Sequence, residues 1–170
     1  MERVIMSLYN DLKKFDSLGN PDNKNVYYIT ERKNQAIHPL IKSYNFEEAY
    51  ELMMSTGKMM RLKKDDFNLV FIDVDTKTEE EYLAFLNKIK DYKYVMIKSQ
   101  TPNHCHIFFR DITGYKTPFK LGKDITIWDY WVNYMGINIS LGADLPSPTN
   151  GREFIKLPDE VDYFPIHLFK

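Results

Sequence analysis

A single cysteine, Cys105, in 170 residues leaves no disulfide framework and no C-x-x-C zinc site. Neither sign of charge dominates, with 23 Lys plus Arg against 24 Asp plus Glu. The chain as a whole therefore exerts no attraction on nucleic acid, and a polyanion has to be held by a local patch or through a metal ion. No apolar run approaches the ~18 residues of a membrane span, and the N-terminus has no signal-peptide pattern. These absences predict no membrane contact and a cytoplasmic location. Internal repeats and low-complexity segments are missing too. What is there in quantity is apolar and aromatic: 44% hydrophobic residues, with 12 Tyr and 11 Phe, exclude a disordered chain and suit one α/β or α+β domain over residues 1–170.

The organising stretch is L-V-F-I-D-V-D, Leu69 to Asp75. Side chains alternate along a strand, so Asp73 and Asp75 share one face with Cα atoms roughly 6.5 Å apart, and Val70, Ile72 and Val74 point the other way. Two carboxylates about 5 Å apart at an effective dielectric near 20 repel by on the order of 3 kcal/mol. A pair so placed wants a cation.

Around this strand the pattern reads in order. Ile5, Leu8, Leu12 and Phe15 recur at helical spacing within residues 1–16, and a strand follows from Val26 to Thr30. Residues 31–42 form a loop or short edge strand, where His38 is a loop histidine. Asn45 with Glu48 opens a helix that buries Phe46, Ala49, Tyr50 and Met53 and ends at Gly57. The run K-M-M-R-L-K-K, 58–64, reads as a solvated face whose Lys58, Arg61, Lys63 and Lys64 are candidates for meeting a phosphate. Thr78 with Glu81 caps a helix burying Tyr82, Phe85, Leu86 and Ile89. Strands Tyr94–Ser99 and Cys105–Phe109 then form a hairpin. Beyond a polar loop, Asp111 to Lys123, Thr126 is expected to cap a helix burying Ile127, Trp131, Val132 and Met135, with Trp128 and Tyr130 on its other side as an exposed platform for base stacking. I-N-I-S-L, 137–141, reads as a strand, 142–152 as a turn and Glu153–Leu157 as the last strand.

The chemistry-bearing set is thus Asp73, Asp75 and His106, with Ser99, Arg61 and Lys63 as candidate nucleotide contacts. Carboxylates are hard ligands suited to Mg²⁺ or Mn²⁺, which bind through one or two of them plus substrate phosphates. That is the two-metal logic of nucleotidyl transfer. A polar side chain on the neighbouring strand, such as His106, suits a phosphate oxygen of the incoming nucleotide.

The succession V-F-I-D-V-D, helix, K-S-Q-T-P-N-H-C-H-I-F-F resembles the primase-polymerase domain of the archaeo-eukaryotic primase superfamily, over roughly Val26 to Leu157 and most closely from Leu69 to Phe109. The resemblance implies an RRM-like palm with a mainly antiparallel central sheet flanked by helices. It implies a DNA primase or polymerase activity serving replication of a mobile element, plasmid or phage, with nucleoside triphosphates and a single-stranded or primed template as ligands, and it places Arg152, in the turn after Pro146, near the nucleotide. The chain departs from the family in two places: T-P-N-H stands where paired glycines are usual, and Asn138 stands where a third acid is expected. If Asn138 does not serve as the third metal ligand, Asp144 in the following turn, or Asp129 in the predicted helix, is the substitute. Lacking a zinc insert and room for a helicase domain, a priming enzyme of this kind needs a separate helicase or replication protein.

Two other classes compete. His104-Cys105-His106 is similar to the metal-binding triplet of HUH replication initiators, which nick single strands with a tyrosine, and Tyr130 or Tyr134 is the candidate nucleophile. A non-catalytic module that binds nucleotide or nucleic acid is the third, and Asn138 is its best argument.

Overall fold

The computed structural model describes residues 2–20, 25–31, 41–63, 67, 69–110, 120–121, 125–126, 137–140 and 142–169. In chain order these hold α1 (Glu2–Ser17), β1 (Tyr27–Thr30), β2 (Ser43–Tyr44), α2 (Phe46–Thr56), β3 (Met59–Lys63), β4 (Leu69–Asp75) and α3 (Glu79–Ile89). There follow β5 (Val95–Lys98), β6 (His104–Arg110), β7 (Lys120–Leu121), β8 (Ile125–Thr126), β9 (Ile137–Ser140), β10 (Gly142–Asp144) and β11 (Glu153–Lys156). A 3₁₀ turn, Ile166–Phe169, lies near the end.

The expected helix signals act as caps. Asn45 Oδ1 accepts from Glu48 N at 2.9 Å, and the left-handed Gly57 donates its N–H to Met53 O. Thr78 Oγ1 accepts from Glu81 N at 3.1 Å, and α3 then buries Phe85 and Ile89 completely.

β4 lies inside a five-stranded sheet of order β11-β5-β6-β4-β9, with every neighbouring pair antiparallel. The β4-α3-β5-β6-β9 succession with this strand order is the RRM-like palm that the resemblance implies. Period-two alternation assigns the two faces. Val70, Ile72 and Val74 join Phe85, Ile89, Ile107 and Phe109 in a core beneath α3. Leu69 and Phe71 face the opposite way, into a larger core with Leu12 and Phe15 of α1, Phe46 and Met53 of α2, and Met60 and Leu62 of β3. Each such fully buried side chain stabilises by about 1.5–3 kcal/mol. Farther along that second face the apolar residues give way to Asp73 and Asp75, so the core ends where the polar site begins.

A second sheet, β10-β3-β1-β2, backs the larger core. It corrects two expectations. The described part of the cationic run, 58–63, is not a solvated face: β3 has neighbours on both sides, and Met60, Arg61 and Leu62 are buried. The segment read wholly as a turn, 142–152, begins with β10, whose three residues are too few for a periodicity signal. Thr126 pairs with Lys120 between β7 and β8. The predicted helix beyond it, with Trp128, Asp129, Tyr130, Trp131 and Tyr134, lies outside the described residues, as do His38 and Lys64.

Cys105 packs under α3, where burial pushes its thiol up to about 12. At pH 8 only roughly one thiol in ten thousand is then thiolate. Alkylation of the native protein by iodoacetamide is accordingly expected to wait on unfolding, while the denatured chain reacts at once. Complete labelling of native protein within minutes would show that Cys105 is not enclosed.

Candidate active site at the end of the central strand

The ladder between β4 and β6 sets Asp73 opposite His106 and Asp75 opposite His104. His106 Nε2 stands 3.2 Å from Asp73 Oδ1, and His104 Nδ1 stands 3.2 Å from Asp75 Oδ1. Like-facing residues on adjacent antiparallel strands are the closest side-chain neighbours a sheet provides, so alternation and register alone bring two acids and two imidazoles to one place. These four side chains line a polar cleft together with Ser99, Thr101 and Arg152.

The carboxylates are not equivalent. Partial burial, then the charge of Asp73 beside it, holds Asp75 above the ordinary carboxylate range, with His104 and His106 pulling the other way. Among the described residues no group of three or more His, Cys, Asp or Glu side chains forms a metal-holding cluster. The two acids nevertheless fit a Mg²⁺ or Mn²⁺ ion of the kind that keeps waters and takes substrate oxygens as further ligands, because a cation between them would relieve the repulsion that raises Asp75.

Two turns build the rest of the cleft. The β5–β6 connection passes through Asn103 in the left-handed region at φ 62°, the role a glycine would ordinarily fill. Its carbonyl accepts from Thr76 Oγ1 at 2.8 Å, which ties the end of β4 to this hairpin. In the same turn the Ser99 hydroxyl accepts from Thr101 N. The second turn delivers Arg152. Asn150 Oδ1 accepts from Ser147 N and Arg152 N at 3.0 and 3.1 Å, while its Nδ2 donates to Leu145 O at 2.8 Å. Gly151, at φ 68°, runs so close to the Gln100 side chain that a Cβ there would lie 2.3 Å from it.

The predicted contacts therefore divide. Ser99 and Arg152 reach the cleft; Arg61 and Lys63 do not line it. Arg61 Nε is 2.6 Å from Asp144 Oδ1, both side chains being buried. Lys63 Nζ lies over the Tyr28 ring, and Lys58 pairs with Glu31 at 2.8 Å. Asp144 sits in a strand, not in an adaptable loop, and its carboxylate faces arginines rather than the cleft. Asn138 is the cross-strand partner of Asp73 on β9. Sequence reasoning left Thr101 unnoticed and gave His104 no place beside the acids. The signal for His104 was its period-two spacing from His106.

No protein-family model matches the chain, and no curated protein matches it.

Proposed function

We propose that this protein is a nucleotidyltransferase of the primase-polymerase kind, adding nucleotides to a 3′-hydroxyl on a nucleic-acid template. The observation that carries the reading is the register of the central strand, which faces Asp73 with His106 and Asp75 with His104 inside a cleft that also holds Arg152. Asp73 and Asp75 would hold Mg²⁺ or Mn²⁺. When bound, such ions activate the attacking hydroxyl and neutralise the triphosphate. Arg152 offers the cleft a permanent cation with a forked donor set suited to phosphate, and the Ser99 and Thr101 hydroxyls offer further donors. His106 orients an anionic oxygen near Asp73. The described residues include no helix long and apolar enough to cross a membrane, and the substrates of such an enzyme are found in the cytoplasm.

The test is extension of a labelled primer on single-stranded template with nucleoside triphosphates and Mg²⁺ or Mn²⁺. Lengthened primer is expected. A covalent protein–DNA adduct in place of extension would favour the nicking alternative, which rests on His104 and His106 sharing the cleft. Neither product would leave the non-catalytic binding module.

Asn138 decides how active the enzyme is. It is the register partner of Asp73 and carries a neutral amide where the resemblance leads one to expect a third acid. Asn138→Asp is therefore expected to raise incorporation about tenfold while nucleotide affinity stays nearly constant, read as kcat against KM. An unchanged or lower kcat would remove Asn138 from the ligand set.

A further inference from the structure

A chain of buried polar contacts runs from the second sheet into the cleft. Arg61 Nε lies 2.6 Å from Asp144 Oδ1, Asp144 Oδ2 lies 3.8 Å from Arg152 NH2, and Arg152 NH1 lies 3.4 Å from His106 Nδ1. His106 Nε2 then faces Asp73. Asp144 is 1% exposed and the Arg152 side chain 6%. Because the guanidinium can only donate, Nδ1 of His106 accepts, and the ring proton belongs on Nε2.

We infer that Asp144 is a positioning residue: by holding the Arg152 guanidinium against Nδ1, it fixes the ring of His106 as the Nε2–H tautomer with that N–H aimed at Asp73. The inference deepens the proposed function and rests on it for its catalytic meaning. A ring so held presents a hydrogen-bond donor where an anionic oxygen is to be bound; the other tautomer would present a lone pair there and repel it. The register between β3 and β10, Asp144 opposite Arg61, is the anchor of the device. Asp144 faces Arg61 through one carboxylate oxygen and Arg152 through the other, so the cleft is tied to the second sheet through a side chain that does not line it.

The experiment reads ¹⁵N resonances of the histidine ring in the metal-free full chain. For the parent, Nδ1 of His106 is expected to resonate as a bare nitrogen and Nε2 as a protonated one. Asp144→Asn and Arg152→Ala should each mix the two tautomers, and Asp144→Asn should add nothing in the Arg152→Ala background. Arg61→Met breaks the same buried ion pair but leaves Asp144 charged, so the parent tautomer should persist. If Arg61→Met mixes the tautomers as Asp144→Asn does, or if Asp144→Asn leaves them unchanged, the positioning role is overturned. In parallel, Mn²⁺-dependent binding of inorganic tripolyphosphate should weaken roughly tenfold in Asp144→Asn, the loss expected for a charged hydrogen bond. Failure of the parent to bind tripolyphosphate counts against the proposed function, and the tautomer readout still decides the role of Asp144.

Discussion

Mn²⁺ is expected to stabilise the parent, and replacing Asp73 and Asp75 together by alanine is expected to abolish that gain along with nucleotide incorporation. A ligand that binds only the native state adds RT ln(1 + [L]/Kd), about 2.7 kcal/mol at a hundredfold excess over Kd. For a domain of this size that is a rise in Tm of roughly 5–10 °C. Both acids line the cleft, and among the described residues no group of three or more His, Cys, Asp or Glu offers an ion another site. The double variant should therefore melt at one temperature with and without Mn²⁺, and incorporation should fall by well over the ~100-fold typical of losing a supporting residue.

The metal-free double variant gives the sign check. Asp75 is held above the ordinary carboxylate range by burial and by Asp73, so its ionised form is less favourable in the folded protein than in the unfolded chain. Such a group costs stability above its folded value, and the cost fades as pH falls and the carboxyl takes up its proton. Without metal at neutral pH the double variant should accordingly be no less stable than the parent. A double variant that still gains several degrees from Mn²⁺ would move the ion away from Asp73 and Asp75.

The palm was legible because its signals are local. L-V-F-I-D-V-D alternates with period two, Thr78 and Glu81 mark the start of α3, and a short hairpin must return β6 beside β5. Once β6 also pairs with β4, His106 falls opposite Asp73 without further information. The second sheet was not legible. Its strand β3 carries Arg61 and Lys63 among three apolar residues, a composition that reads as surface until β1 and β10 are seen on either side. Nothing in G-A-D announces a strand, and nothing local connects Asp144 to Arg61, since their contact comes from pairing between segments remote in the chain. The same remoteness hid the link from Asp144 to His106: Arg152 was visible as a candidate nucleotide contact in a turn rich in Pro and Gly, but not as a partner of Asp144 or of His106. Residues that act through period, caps and tight turns can be read from sequence, whereas residues that act through long-range charge pairing cannot.

That buried pairing carries the largest expected effect on stability. Asp144→Ala leaves the Arg61 side chain, 9% exposed, beside a lost countercharge, and does the same to Arg152 at 6%. Removing one partner of a buried ion pair costs about 3–5 kcal/mol, because the remaining charge keeps its desolvation penalty and loses the attraction that offset it. Thermal unfolding of Asp144→Ala in metal-free buffer should show a Tm lower by roughly 6–20 °C. Removing both charges is a different case, since apolar side chains of similar size can replace a buried pair with little loss. The double variant Arg61→Met with Asp144→Leu is therefore expected to recover most of the lost stability, giving a coupling energy larger than the cost of the double change itself. It should still lack the hold on Arg152, so a protein restored in fold would remain impaired in the cleft. A single variant melting within a degree or two of the parent would mean that water reaches Arg61 after all; a double variant as unstable as Asp144→Ala would mean that packing, not charge, is what Asp144 supplies.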